Sequence, residues 1–242
     1  YHYSVAQGNI DNASTWNKWG YNGDISSASA ETVWSPGGSF SPMSTAGVLS
    51  LASSSANDTS AGTGAQSIII YGVDQDYLEQ TEVVTLNGTS TVTTSKQWLG
   101  INRMAVYLAG SNGFNVGTIT ATGDSTTQAA IPAQEGSTQH AFFFVQASHS
   151  ALMDWLIINA IKTSGGGNPE ITTKCIVTSL VSGAKYDVFT DYMDTQRENF
   201  HQYTPSQPFV VGEKSLIEFV SETDTNNTAV SIRFSFIEVP NS

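Results

Sequence analysis

Apolar and polar positions alternate with a period of two along much of the chain, most clearly in Ala229–Val239. Val230, Ile232, Phe234 and Phe236 fall on one face, with Ala229, Ser231, Arg233 and Ser235 on the other. That is the pattern of a strand with one buried face and one wet face. Ala65–Thr94 is the most strongly punctuated stretch. Ser67–Val73 is a β-branched run of strand length, Asp74-Gln75-Asp76 suits a turn, and Thr81–Leu86 is a second run. Asn87-Gly88 tolerates the positive φ of a tight hairpin, and Thr89–Thr94 alternates with Ser90, Val92 and Thr94 on one face. The stretch predicts an antiparallel meander of three strands.

Further strands are predicted at Ala46–Ala52, Trp98–Ala109, Val116–Thr122, Ala129–Pro132, His140–Gln146, Ile171–Leu180, Lys185–Met193 and Ser215–Val220. Ser150–Lys162 fits two periods. Leu152, Trp155, Leu156 and Asn159 would line a helix, whereas Met153, Trp155 and Ile157 would alternate in a strand. The pair Ile157-Ile158 and the β surroundings favour the strand. Ser53–Gly64 and Thr195–Gln207 read as loops. Strands at roughly ten-residue intervals predict an all-β sandwich or barrel; an antiparallel β-sandwich, jelly-roll-like, is the expectation. Residues 1–45 differ from the rest. Trp16, Trp19, Tyr21 and Trp34 lie among Asn, Gly and Ser without a sustained period. This segment reads as an extended N-terminal arm for attachment, with 46–242 as the sandwich body. Its four aromatics pack either on the chain's own core or on a neighbouring subunit or shell, and they are the candidate contact residues.

Charged residues make up 12% of the 242 positions, about half the usual share of roughly 25%. Hydroxyls and amides take their place on the surface. The 39% hydrophobic content is enough to build a core. A net charge of −12 with nine basic residues provides no cationic footprint for nucleic acid and would be repelled by an anionic membrane. The longest apolar stretch, Leu152–Ile161, is too short to span a bilayer and contains Asp154 and Asn159. The single cysteine, Cys175, lies in an apolar strand and reads as a buried structural thiol, which excludes an internal disulfide.

Candidate chemistry is sparse. Gly123-Asp124-Ser125 matches the Gly-Asp-Ser of one esterase group, but no Asp-x-x-His follows it. Glu198 and His201 form a lone Glu-x-x-His without the second histidine of a zinc site. Asp74, Asp76 and Glu79, or Asp187, Asp191 and Asp194, could offer hard oxygens to calcium, though turn solvation and exposed strand positions account for them. The sequence assigns no catalytic residue, metal ligand or cofactor.

A series of phrases is more specific in combination than singly. It runs from Asn57-Asp58-Thr59-Ser60-Ala61-Gly62-Thr63-Gly64-Ala65-Gln66 and Ile70-Tyr71-Gly72-Val73-Asp74 to Glu82-Val83-Val84-Thr85-Leu86-Asn87-Gly88-Thr89-Ser90. Ile101-Asn102-Arg103, Ala109–Gly113, Asn115–Thr120 and Ile131–Gly136 follow in order. Over roughly Ser53–His140 the chain resembles virion structural proteins of marine tailed phages, cyanophages among them. The resemblance implies a non-enzymatic structural protein on the virion surface, made in the host cytoplasm. The expected role is capsid decoration or cement, with the major capsid protein or other virion proteins as partners and a homotrimer as the favoured assembly. The alternative is a glycan-binding host-recognition module of a tail or head fibre.

Overall fold

The computed structural model describes residues 2–241. A short helix, α1 (His2–Ala6), precedes β1 (Ser14–Ile25) and β2 (Glu31–Thr32). Next come β3 (Ser50–Ser53), β4 (Ala65–Val73), β5 (Glu79–Thr85), β6 (Val92–Thr93), β7 (Gly100–Ala109), β8 (Ile119–Gly123) and β9 (Thr126–Ile131). The chain continues through β10 (Phe142–Phe144), β11 (His149–Lys162), β12 (Glu170–Ser179), β13 (Lys185–Asp194), β14 (Phe200–Tyr203), β15 (Phe209–Val211), β16 (Ser215–Thr223) and β17 (Thr228–Pro240). All strand pairs between these elements are antiparallel. Among the described residues, no helix is long and apolar enough to cross a membrane.

The chain does not divide at residue 45. One compact unit joins Tyr1–Ser39 to His140–Ser242, and Phe40–Gln139 forms a second unit inserted between these two segments.

In the first unit one sheet runs β1-β17-β11-β14, with β15 also on β11. The other runs β10-β16-β12-β13, with β2 on β16. The inward faces meet through aromatic rings: Phe143 packs on Phe236 at 4.3 Å, and Phe219 on Phe234 at 4.8 Å between centroids. Alternation decides which residues go inside. Val230, Ile232, Phe234 and Phe236 of β17 are buried, as expected, while Arg233 between them is exposed. Ile171, Thr173, Cys175 and Val177 of β12 are buried as well. Residues 149–162 form a strand, not a helix, and a bulge at Asp154 shifts their register against β17.

The expected arm is part of this unit. Ser14–Ile25 pairs along its length with β17, from Ser14 opposite Glu238 to Ile25 opposite Thr228. Its period of two is real but disguised, because the inward set is Trp16, Lys18, Gly20 and Asn22. Only one of those four is a large apolar side chain. Gly20 is required by space: a Cβ there would lie 2.4 Å from the Ala141 nitrogen and 2.5 Å from the Val33 oxygen.

In the second unit, sheets β6-β3-β8-β9 and β5-β4-β7 share one core. Leu51, Ile119 and Ile131 from the first meet Ile68, Ile70 and Met104 from the second, with Leu49 and Trp98 fully buried beside them. The predicted meander holds for its first two strands only. After Asn87-Gly88 the chain leaves β5, and Val92–Thr93 pairs with β3 instead. The turn is pinned away from β5: the Gly88 nitrogen donates to the Asp58 oxygen at 2.8 Å, and the Gly88 oxygen accepts from the Ser53 nitrogen at 2.9 Å.

Candidate interaction surface

The four aromatics proposed as contacts separate into two pairs by their position on β1 and in the turn after β2. Trp16 faces inward, packs on Phe143 at 5.1 Å, and donates its Nε1 hydrogen to Ser14 Oγ at 3.0 Å. Trp34 is 4% exposed, meets Phe142 edge-on at 6.0 Å, and donates Nε1–H to the carbonyls of Gly37 and Gly38. Both are buried core residues of the first unit. Trp19 and Tyr21 point to the opposite side of the sheet, and Trp19 is 37% exposed. The Arg233 guanidinium lies over the Trp19 ring at 5.6 Å, a cation–π contact.

Register extends this outer face. Trp19 lies opposite Arg233, which lies opposite Ile157; Tyr21 lies opposite Ser231, then Asn159, then Phe200. Side chains directly opposite across an antiparallel pair share a face. The result is an outer face on which aromatic and aliphatic groups surround Arg233, with Ser231 and Asn159 among them and Ile161 and Phe200 about half exposed. It combines Trp, Tyr and Arg, the residue types that dominate contact energy in interfaces.

The other polar constellations are structural. In Gly123-Asp124-Ser125, Asp124 and Ser125 take φ of 48° and 60° and form the two-residue turn joining β8 to β9, the left-handed pair that a tight hairpin needs. Asp74 Oδ1 accepts from the Asp76 and Leu78 amides at 2.9 Å, closing its own turn. Among the described residues no three His, Cys, Asp or Glu side chains converge as a metal site. Cys175 is buried, which pushes its thiol pKa well above the ordinary range.

Ser53–Gly64 is more than a surface loop, because Asp58 inside it is fully buried. Its Oδ1 accepts from the amides of Ala65 and Val116, and its Oδ2 from the Gly117 amide and the Ser53 hydroxyl, at 2.6–2.8 Å. The Asn57–Gln66 phrase is therefore built around a carboxylate that ties the loop to the start of β4 and to the segment before β8. Gly64 belongs to the same packing, since a Cβ there would lie 2.1 Å from Asp58 Oδ1.

The Glu-x-x-His pair does come together, with partners the sequence did not indicate. His201 Nε2 meets Glu198 Oε1 at 2.8 Å, while Nδ1 meets the Asp191 carboxylate at 2.9 and 3.0 Å. The Tyr203 hydroxyl also donates to Asp191. Burial opposes charge on His201, but the two carboxylates outweigh it and raise the pKa. Burial and the Asp191 carboxylate raise the Tyr203 pKa as well. Neither ring nitrogen is left to act as a base, so the cluster is a clasp and not a catalytic dyad. It joins β13, at the edge of one sheet, to β14, at the edge of the other.

No family model matches the chain, and no curated protein matches it. Solved structures that align with it include infectious bursal disease virus of the Gt strain, at 8% identity and a TM-score of 0.19 over 96% of this chain and 78% of that one. The Gx strain aligns at 9% identity and a TM-score of 0.20 over 97% and 78%. At such scores the likeness carries no weight for fold or function.

Proposed function

We propose that this protein is a structural component of a tailed-phage virion: a non-enzymatic capsid decoration or cement protein that binds the outer shell, as a trimer at three-fold and quasi-three-fold positions. The observation that carries this reading is the strand order of the first unit. Take β1, β10, β11, β12, β13, β14, β16 and β17 as eight successive strands. The first pairs with the eighth, the second with the seventh, the third with the sixth and the fourth with the fifth. One long antiparallel ribbon wrapped around a core produces those pairings. We read those pairings as a jelly-roll-like sandwich, an architecture used by viral capsid domains and by lectins.

Fold alone does not assign function. Two further observations support the reading. The phrases that resemble phage virion proteins span nearly the same residues as the second unit, Phe40–Gln139. The Trp19–Arg233 face supplies the adhesive surface. Attachment is then through the outer face of β1, not through a detachable arm. Removing residues 1–45 would strip β17 of its neighbour and would not leave an intact body.

Quantitative mass spectrometry of purified particles tests the proposal. Hundreds of copies per particle are expected for a shell component. A few to a few dozen copies would place the protein in a tail or fibre and reject the decoration role. Absence from the particle would reject the virion reading altogether.

A further inference from the structure

At the end of the same sheet face nearest α1, the surface is concave. Tyr3, Thr15, Asn17, Asp154, Trp155 and Ser235 line a cleft of about 550 Å³, within the usual size range for small-ligand sites. Its position follows from the register. Asn17 lies opposite Ser235, and Ser235 lies opposite Trp155. Asp154 is the extra residue of the β11 bulge, and a bulge re-aims a side chain that regular pairing would turn elsewhere. The Ser235 hydroxyl, itself 7% exposed, donates to Asp154 Oδ1 at 2.5 Å and fixes the carboxylate in the cleft. Tyr3, 84% exposed, stands at the rim.

A sugar ring has an apolar C–H face and a rim of hydroxyls that both donate and accept. An aromatic face covers the former; a carboxylate and a side-chain amide serve the latter. Trp155 with Tyr3, and Asp154 with Asn17, offer that combination in one concave site. The chain's net charge of −12 and the carboxylate in the cleft disfavour polyanionic sugars. We propose that this cleft binds a neutral saccharide residue, stacked on Trp155 and held at its hydroxyls by Asp154 and Asn17.

The test is a titration of the whole chain by intrinsic tryptophan fluorescence with maltohexaose, cellohexaose, laminarihexaose and mannohexaose, with hexagalacturonate as the anionic comparator. At least one neutral hexasaccharide is expected to give a saturable signal. Trp155→Ala, Asp154→Ala and the exposed-position variant Asn17→Ala should each weaken it by about tenfold, the scale of one lost ring or hydrogen-bond contact. Trp19→Ala, outside the cleft, should bind as the parent does. Circular dichroism matching the parent guards each variant against unfolding, and Asn17→Ala alone suffices if the others fail to fold. No saturation by any neutral sugar, affinity unchanged in the cleft variants, or tighter binding of hexagalacturonate would overturn the proposal. Particle copy number is independent of these results, so the virion reading and the saccharide site fail separately.

Discussion

His201 Nδ1 sits 2.9 Å from Asp191 Oδ1 while its Nε2 contacts Glu198, so a single imidazole is held at both nitrogens by carboxylates. Carboxylates only accept, so both contacts are hydrogen bonds only when both nitrogens donate, that is, when the ring is protonated. Burial works against that charge, but the hydrogen bonds to Glu198 and Asp191 prevail and the pKa is raised. The sign follows from linkage. With the folded pKa above the unfolded value near 6.5, the clasp's stabilisation is complete below that value and is lost as pH rises through the folded pKa. The thermal midpoint of the parent should therefore fall, relative to His201→Gln, over the interval in which pH rises from about 6.5 through the folded pKa. Parallel curves for the two proteins across that interval would show that the clasp contributes nothing.

Asp58 gives the sharper stability prediction. Four donors converge on its two oxygens. Asparagine could accept on one oxygen only and would turn an NH2 group against hydrogens already pointing inward. Asp58→Asn should thus be nearly as damaging as Asp58→Ala, each costing about 3–5 kcal/mol, because buried donors are left unmet. Hydrogen exchange on the whole chain can measure this at the Ala65, Val116 and Gly117 amides. Protection retained in Asp58→Asn would refute the account.

Strand positions were legible because a period of two is a local signal, and Ala229–Val239 and Ile171–Leu180 declare it without help. Strand partners were not, since Ser14 pairs with Glu238 across almost the whole chain. The segment 14–25 hides its strand pattern for a specific reason. Its buried face uses Lys18, Gly20 and Asn22 where a strand usually shows aliphatic residues. Phe200–Tyr203 reads as loop because four residues including His201 and Gln202 carry no β pattern, yet it supplies half of the clasp. Asp58 looked like any acidic residue in a Ser-Thr-Gly loop; its burial depends on amides from β4 and from residues before β8. Composition alone could not separate the outward Trp19 and Tyr21 from the buried Trp16 and Trp34.

Gly20 tests whether β1 is truly bound into the body. A methyl group at this position would overlap the Ala141 nitrogen and Cβ and the Val33 oxygen, all within 2.5 Å. Backbone cannot yield as a flexible side chain can. Gly20→Ala should cost at least the roughly 1–3 kcal/mol typical of overpacking, read as a lower midpoint in urea. An unchanged midpoint would mean that β1 can leave this position freely, restoring the detachable-arm picture.

Trp16 and Trp19 are three residues apart on one strand and should behave oppositely. Trp16 is 8% exposed and packed on Phe143, so Trp16→Ala should cost about 3–5 kcal/mol, as deletion of a buried aromatic does. Trp19 is 37% exposed, and its main described contact is Arg233 over the ring. Trp19→Ala should then cost about 1 kcal/mol or less. If the outer face docks on the shell, Trp19→Ala should nonetheless release the protein from particles, because truncating an interface tryptophan commonly costs about 2 kcal/mol or more of binding. Co-sedimentation of each variant with particles lacking the wild-type protein separates the two effects. Retention of Trp19→Ala at parental occupancy would remove this face from the shell contact, whatever the copy number.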